Sequence, residues 1–219
     1  MADYYVSNGV ISSNLILDDG WMPITSGGTA SKTTVTNKGI VHVSEGGLLL
    51  DTVVENCIEN GGVSILSGGK AINTVLKNEG RGYLYEGAQA SNTTVSEGAS
   101  FSIGGNGAEA TIVTQNGGTV QVQAGATMTS ASLNGGYLYV FSGGTVQDVD
   151  LRNRADIWDG ALVQDIRVLP GAFLGIRPNG SAIQIQENGG YVDVQPGAKV
   201  LFGAFALGRA QPQRRGTSP

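Results

Sequence analysis

The sequence from Gly135 to Leu151 reads GGYLYVFSGGTVQDVDL, and close variants of this phrase recur through the chain. Other copies are GWMPITSGGTASKTTV from Gly20, GIVHVSEGG from Gly39, and GGYVDVQPGA from Gly189. Self-similarity at a fixed period is typical of repeat architectures, in which each repeat packs on its neighbours. The repeat therefore decides the fold.

Each repeat begins with a short alternating run. The residues two and four places after each start are apolar in nearly every copy, as in Leu138 and Val140. Because side chains alternate between the two sides of a strand, this pattern predicts a strand with one side in the core. The starts are about 19 residues apart, at Gly20, Gly39, Gly61, Gly80, Ala99, Gly118, Gly136, Asn153, Ala172 and Gly190.

Glycine marks the bend after this strand. A Gly-Gly or Gly-Ala pair follows most copies of the run, and glycine tolerates the positive φ of tight turns. A second alternating run comes next, as in Thr33 and Val35. Between the bend and this run a small or apolar residue recurs and is expected to face inward: Ile11, Ala30, Leu49, Ala71, Ala90, Met128, Val146 and Val163.

A single repeat cannot bury its own apolar positions, so neighbouring repeats must cover them. Stacked as coils ~4.8 Å apart, the repeats share one continuous interior. We predict an all-β fold, a right-handed parallel β-helix (β-solenoid) of about ten 19-residue coils and about 48 Å in length. We assign residues 1–19 to an N-terminal partial coil or cap, 20–207 to the solenoid repeats, and 208–219 to a disordered or appended tail.

Composition argues against several classes of function. The net charge is −5 and only 14% of residues are charged, whereas a nucleic-acid surface needs clustered Lys and Arg. No apolar run approaches the ~20 residues that span a bilayer. The single cysteine, Cys57, and the single histidine, His42, predict neither a disulfide framework nor a zinc cluster. Cys57 is interpreted as a lone thiol in an inserted loop.

Aromatic residues are the candidate binding groups. Exposed aromatic side chains offer flat, amphipathic area for protein or sugar contacts. The alternative is that they only support packing between strands. The tyrosines recur along the axis without converging on one pocket, which predicts many weak contacts. The candidates fall one or three places after a repeat start and are expected on one outer face: Trp21, Tyr83, Tyr137, Tyr139, Phe173 and Tyr191.

Acidic residues on neighbouring repeats support an alternative function. The repeat alignment stacks Asp148 on Asp165 and Asp150 on Arg167. Carboxylates about 5 Å apart can act on a glycoside, so a carbohydrate-active β-helix (polysaccharide lyase, hydrolase or sugar-binding module) stays open. The competing interpretation is a polar outer edge. We expect no catalysis, metal or cofactor, since equivalent positions hold other polar residues: Lys32, Asp51, Asn73, Asn92 and Ser130.

The phrase G-x-hydrophobic-x-hydrophobic-x-S-G-G-T-A-x-x-T-x-V is plainest in ITSGGTASKTTV, ILSGGKAINTVL and YLYVFSGGTV. It resembles the repeats of AIDA-type adhesin autotransporters of Gram-negative bacteria, over about residues 4–205. The resemblance implies a passenger displayed on the bacterial surface, which mediates cell adhesion, self-aggregation or biofilm formation. Its partner would be a host-cell surface receptor, a glycan or another copy of itself.

The resemblance also implies covalent modification. Ser26, Ser67 and Ser142, near the bends, would accept heptose from a dedicated heptosyltransferase. The chain departs from the family pattern because a signal peptide and a C-terminal membrane barrel are not evident in it. It is therefore expected to be a passenger fragment that reaches a membrane only through a translocator absent from this chain.

Overall fold

The computed structural model describes residues 3–203, which form a parallel β-solenoid of about ten coils. The predicted fold class is confirmed. The predicted tail, residues 208–219, lies outside the described residues. The strands are β1 (Ile11–Ser13), β2 (Ile16–Ile24), β3 (Thr29–Ser31), β4 (Thr34–Val43), β5 (Leu48–Cys57), β6 (Gly62–Ile65), β7 (Lys70–Lys77), β8 (Arg81–Leu84), β9 (Gln89–Val95), β10 (Ser100–Ile103), β11 (Glu109–Val122), β12 (Thr127–Val140), β13 (Thr145–Leu151), β14 (Arg154–Ile157), β15 (Leu162–Val168), β16 (Phe173–Ile176), β17 (Ser181–Glu187), β18 (Tyr191–Val194) and β19 (Lys199–Phe202).

The register stacks equivalent residues of successive coils, so that Val122 lies between Ile103 and Val140. The inward positions predicted for the first run are buried from Met22 through Ile176. At the last described coil, Val194 is 41% exposed. Its strand, β18, pairs with β16 alone among the described strands, so one side of this coil lacks a neighbour.

Two adjacent residues make the first corner of each coil, and each favours a small residue for its own reason. Gly27 has a φ of 79°, and its N–H donates to the carbonyl of Gly46 on the next coil at 2.8 Å. The other residue of the pair is Gly47 in the next coil, where a Cβ would come within 2.2 Å of the Ile24 carbonyl oxygen. The corners thus extend the hydrogen-bonded ladder of the strands.

The second corner is a single residue in the left-handed conformation. Asn and Asp tolerate this conformation better than most residues. The Nδ2 of Asn73 donates to Asp51 Oδ1, and that of Asn92 to Asn73 Oδ1, both at 2.8 Å. Backbone conformation therefore explains the polar edge. Its residues have φ between 49° and 58°: Asn14, Lys32, Asp51, Asn73, Asn92, Ile112, Ser130, Asp148, Asp165 and Gln184.

The interior contains some polar side chains. Four threonines of the second run, Thr33, Thr52, Thr74 and Thr93, are buried. Gln115 is also buried, at a position that Val95 and Leu133 occupy in the neighbouring coils. Its Nε2 donates to the carbonyl oxygens of Gly118 at 3.1 Å and Tyr137 at 3.0 Å. These two hydrogen bonds offset the cost of burying an amide.

Two residues lie elsewhere than predicted. Ile11 is 75% exposed because it pairs in register with Thr29 rather than with the inward-facing Ala30. Cys57 ends strand β5 with its side chain fully buried. The chain is longer than usual here, but the thiol packs in the core, where burial raises its pKa. The interpretation as a loop thiol is therefore wrong.

Candidate binding face

The outward side chains of the first run form one face of the solenoid, here called the outer aromatic face. Three rows run along its axis, at one, three and five places after each repeat start. The first row is Trp21, Ile40, Gly62, Arg81, Ser100, Thr119, Tyr137, Arg154, Phe173 and Tyr191. The second row is Pro23, His42, Ser64, Tyr83, Ser102, Gln121, Tyr139, Asp156, Gly175 and Asp193. The third row, at the first corner, is Thr25, Ser44, Leu66, Tyr85, Gly104, Gln123, Phe141, Trp158, Arg177 and Gln195.

The six candidate residues all lie on this face, Phe173 half-buried and the other five as follows. Trp21 is 39% exposed, Tyr137 49% and Tyr191 53%. Tyr83 and Tyr139, in the second row, are half-buried. Each of the five also contacts a neighbouring ring, so packing between aromatic side chains accompanies their exposure.

The aromatic side chains gather in clusters along the axis. In the first cluster the Trp21 ring lies 5.9 Å from Tyr5 and 6.0 Å from His42, between ring centroids. Trp21 Nε1 donates to His42 Nδ1 at 3.3 Å. The second cluster is a stacked pair, Tyr83 and Tyr85, with centroids 6.4 Å apart.

The third cluster is the largest and joins four coils. Ring centroids are 6.2 Å apart in each successive pair from Tyr137 to Tyr139, Phe141 and Trp158, and the interplanar angles are 7°, 23° and 25°. We call this group the aromatic–arginine cluster. Its members are Tyr137, Tyr139, Phe141, Arg154, Asp156, Trp158, Phe173, Gly175, Arg177 and Tyr191.

Asp156 lies at the centre of this cluster. Its side chain is only 4% exposed, and a buried carboxylate needs partners. Arg154 donates from Nε to Oδ2 at 2.8 Å and from Nη2 to Oδ1 at 3.3 Å, and Arg177 donates from Nη2 to Oδ1 at 2.7 Å. The hydrogen bond to Asp156 raises the pKa of Arg154. Both guanidinium groups also lie near rings, Arg154 4.6 Å from Phe173 and Arg177 5.7 Å from Trp158.

Gly175 follows Asp156 in the second row and is buried. A Cβ there would lie 2.7 Å from Asp156 Oδ1 and 3.1 Å from Phe173 Cε1, so neighbouring side chains close over this glycine. The first row flanks these two residues with Arg154 and Phe173, and the third row flanks them with Trp158 and Arg177. We call this strip, with its buried carboxylate between arginine and aromatic side chains, the trough.

Six of the ten members of this cluster were not predicted from the sequence. Phe141, Trp158 and Arg177 occupy the third row, at an offset of five that the aromatic pattern did not include. Arg154, Asp156 and Gly175 carry no aromatic ring, so that pattern did not single them out. A search of the same offset in every repeat would have found the third row. The ion pair between Asp156 and Arg177 could not be found that way, because it joins residues of different coils.

The acidic residues of the alternative function lie apart from the aromatic face. Asp148 and Asp165 are exposed second-corner residues, and Asp148 Oδ2 accepts from Ser130 Oγ at 3.3 Å. Asp150 pairs with Arg167 at 2.5 Å, as the repeat alignment predicted. The left-handed backbone accounts for the two carboxylates without a catalytic role.

The serines predicted to be glycosylated lie at first corners. Ser26, Ser67 and Ser142 are all exposed. Backbone hydrogen bonds join successive first corners into a column, and along it Ser26, Glu45, Ser67 and Glu86 follow one another.

Two further features were sought within residues 3–203. No group of three or more His, Cys, Asp or Glu side chains converges there in a way that could hold a metal ion. No helix in the same range is long and apolar enough to cross a membrane.

The chain was compared with known proteins. No protein-family model matches it, and no curated protein matches it in sequence. Its fold is similar to that in the crystal structure of a TibA fragment hyper-glycosylated by TibC catalysis. The TM-score is 0.56 and the sequence identity 23%, over 91% of this chain and 94% of the other. The two chains thus share the β-solenoid fold.

Proposed function

We propose that this chain is a β-helical passenger fragment of an adhesin autotransporter, displayed at the bacterial surface, which acts by binding rather than catalysis. The observation that carries the proposal is the outer aromatic face, where Trp21, Tyr137 and Tyr191 are 39–53% exposed. The fold shared with the TibA fragment supports it. Its partner is a host-cell receptor or glycan, or a second copy, which would produce aggregation or biofilm.

Adhesion through this face is expected to depend on many weak contacts. Linked weak sites can exceed the affinity of one site by roughly 10²–10⁴. We would replace Tyr83, Tyr137, Tyr139 and Tyr191 by serine, singly and together, and measure cell attachment and bead aggregation. Attachment should decline stepwise with the number of changes.

Matched controls come from exposed apolar residues off this face. Ile112→Ser and Leu201→Ser remove side chains that are 55% and 61% exposed, and neither should reduce attachment. Loss of attachment with Asp148→Asn or Asp165→Asn alone, with the tyrosine variants unaffected, would instead favour the carbohydrate-active alternative.

We also propose that Ser26, Ser67 and Ser142 accept heptose from a heptosyltransferase. Their exposure at first corners and the hyper-glycosylation of the TibA fragment by TibC support this. The test is intact-mass measurement after co-expression with such a transferase. The mass of the wild-type chain should increase by several sugar units. The mass of a Ser26→Ala, Ser67→Ala, Ser142→Ala variant should increase by fewer. An unmodified wild-type chain would refute the proposal.

A further inference from the structure

We propose that the trough of the aromatic–arginine cluster binds an acidic saccharide, that is, a sugar chain bearing carboxylate or sulfate groups. This inference rests on the proposed function, because it names the class of glycan that one part of the outer aromatic face recognises. It concerns Arg154, Arg177 and the rings around them.

The two guanidinium groups are held in fixed orientations. Asp156 is almost fully buried and accepts three hydrogen bonds, two from Arg154 and one from Arg177. A rigid guanidinium fork loses little conformational freedom when it binds an oxyanion. Asp156 is therefore a positioning residue that prepares both arginines for a ligand.

Donor capacity remains after Asp156 is satisfied. Arg177 uses Nη2 for the carboxylate, while its Nε is buried and has no hydrogen-bond partner in the described structure. The Nε atom is enclosed and out of a ligand's reach, but the Arg154 and Arg177 side chains are 39% and 29% exposed. Their unused Nη N–H groups are the donors left for an anionic oxygen of a ligand.

The local charge favours an anion. Around Asp156 two arginines face one aspartate, an excess of one positive charge, although the whole chain carries −5. Asp193, the next second-row residue after Gly175, lies one coil further along and brings the net charge of the whole trough to zero. The ligand's acidic group is thus expected near Arg154 and Arg177, and its uncharged parts near the rings.

The strand pairing argues against an extended peptide as the ligand. Strands β12, β14 and β16 are each paired on both sides, so no backbone donors are open for an added strand. Recognition must use side chains. Half-exposed Tyr137 and Tyr191 lie three coil spacings apart, about 14 Å, so they could contact successive sugar units on either side of the arginines.

Binding would be measured on the full chain by isothermal titration calorimetry with three probes of matched length. Oligogalacturonate carries carboxylates, a heparin oligosaccharide carries sulfates as well, and cellohexaose is neutral. One or both acidic probes should bind, and the neutral probe should bind at least about tenfold more weakly. The Nε–H resonance of Arg177 in an NMR titration should shift with the bound probe.

The variants separate recognition from folding. Arg177→Gln leaves Asp156 paired with Arg154, and it should weaken binding of acidic probes about tenfold or more. Arg177→Lys keeps the charge without the fork and should not restore the affinity. Arg167→Gln removes an equal charge from the exposed Asp150 pair and should change nothing. Thermal melting of every variant checks that each is folded.

Three results would overturn the inference. These are equal binding of neutral and acidic probes, binding unaffected by Arg177→Gln in a folded variant, and no binding of any probe. In the last case, tyrosine-dependent cell attachment would still support the proposed function with a protein receptor or a second copy as partner. Failure of both experiments would reject the adhesive face itself.

Discussion

The left-handed second corner shows how one backbone angle selects residue type. Ten described residues adopt it, and most carry short polar side chains that tolerate positive φ. Ile112 is the exception: a β-branched residue with a φ of 55° and a side chain 55% exposed. It gains little burial in return for an unfavourable conformation.

Ile112→Asn should therefore stabilise the chain by about 1 kcal/mol, because asparagine adopts the left-handed conformation more readily. The reciprocal change, Asn92→Ile, should destabilise it by at least as much, since it also removes the hydrogen bond to Asn73. Urea unfolding of both variants measures the two free energies. Unchanged stability in both would show that conformation does not limit this corner.

His42 should make stability depend on pH. Its pKa is lowered from 6.5 by burial, so the folded chain holds the neutral form, which accepts the Trp21 Nε1 hydrogen bond. The unfolded chain then binds more protons just below pH 6.5, and stability should fall as the pH drops through the folded-state pKa. Between pH 7.5 and 5 the unfolding free energy of wild type should therefore fall relative to that of His42→Phe, which lacks the titrating group. A pH-independent difference would contradict this assignment.

At the scale of a strand, alternation decides which substitutions are tolerated. In β11 and β12 the inward residues Val122 and Leu138 are buried, while Gln121 between the inward positions faces outward with Tyr139. The same strand therefore offers a sensitive position and an insensitive one only one residue apart.

Val122→Asp and Leu138→Asp should each destabilise the chain by several kcal/mol, because either would bury an unpaired charge. Gln121→Asp, a matched control on the outer side of β11, should change stability by less than about 1 kcal/mol. Thermal and denaturant unfolding give the comparison. Wild-type stability of both core variants would refute this register.

On the scale of the whole molecule, each coil is held only by its neighbours. Inner coils pair on two sides, whereas in the last described coil even the inward-facing Val194 is 41% exposed. Stability in such arrays is close to a sum of coil and interface contributions, so local opening should be easiest at the ends.

Hydrogen exchange should therefore show graded protection along the axis. The backbone amides of Val122 and Val140 should exchange more slowly than those of Val6 and Val194, which belong to the first and last described coils. Mass spectrometry of peptic fragments would measure this gradient. Uniform protection would mean instead that the solenoid opens only as one cooperative unit.

The sequence by itself determined the solenoid and most of its interior. Inward positions such as Val41 and Ile157 follow from period-two alternation within each repeat, which needs no knowledge of the neighbouring coil. Repetition then predicted that equivalent residues stack, and the register of Asp150 on Arg167 agrees.

Only the tertiary structure decided which outer side chains meet. Equivalent coil positions are separated by variable chain lengths, so the approach of Arg177 to the buried carboxylate of Asp156 depends on register and on how far its side chain reaches between coils. The backbone angle behind the polar corner and the inward direction of Cys57 were also beyond the pattern. Alternation is a local property of a strand, whereas a binding trough is made by side chains from several coils.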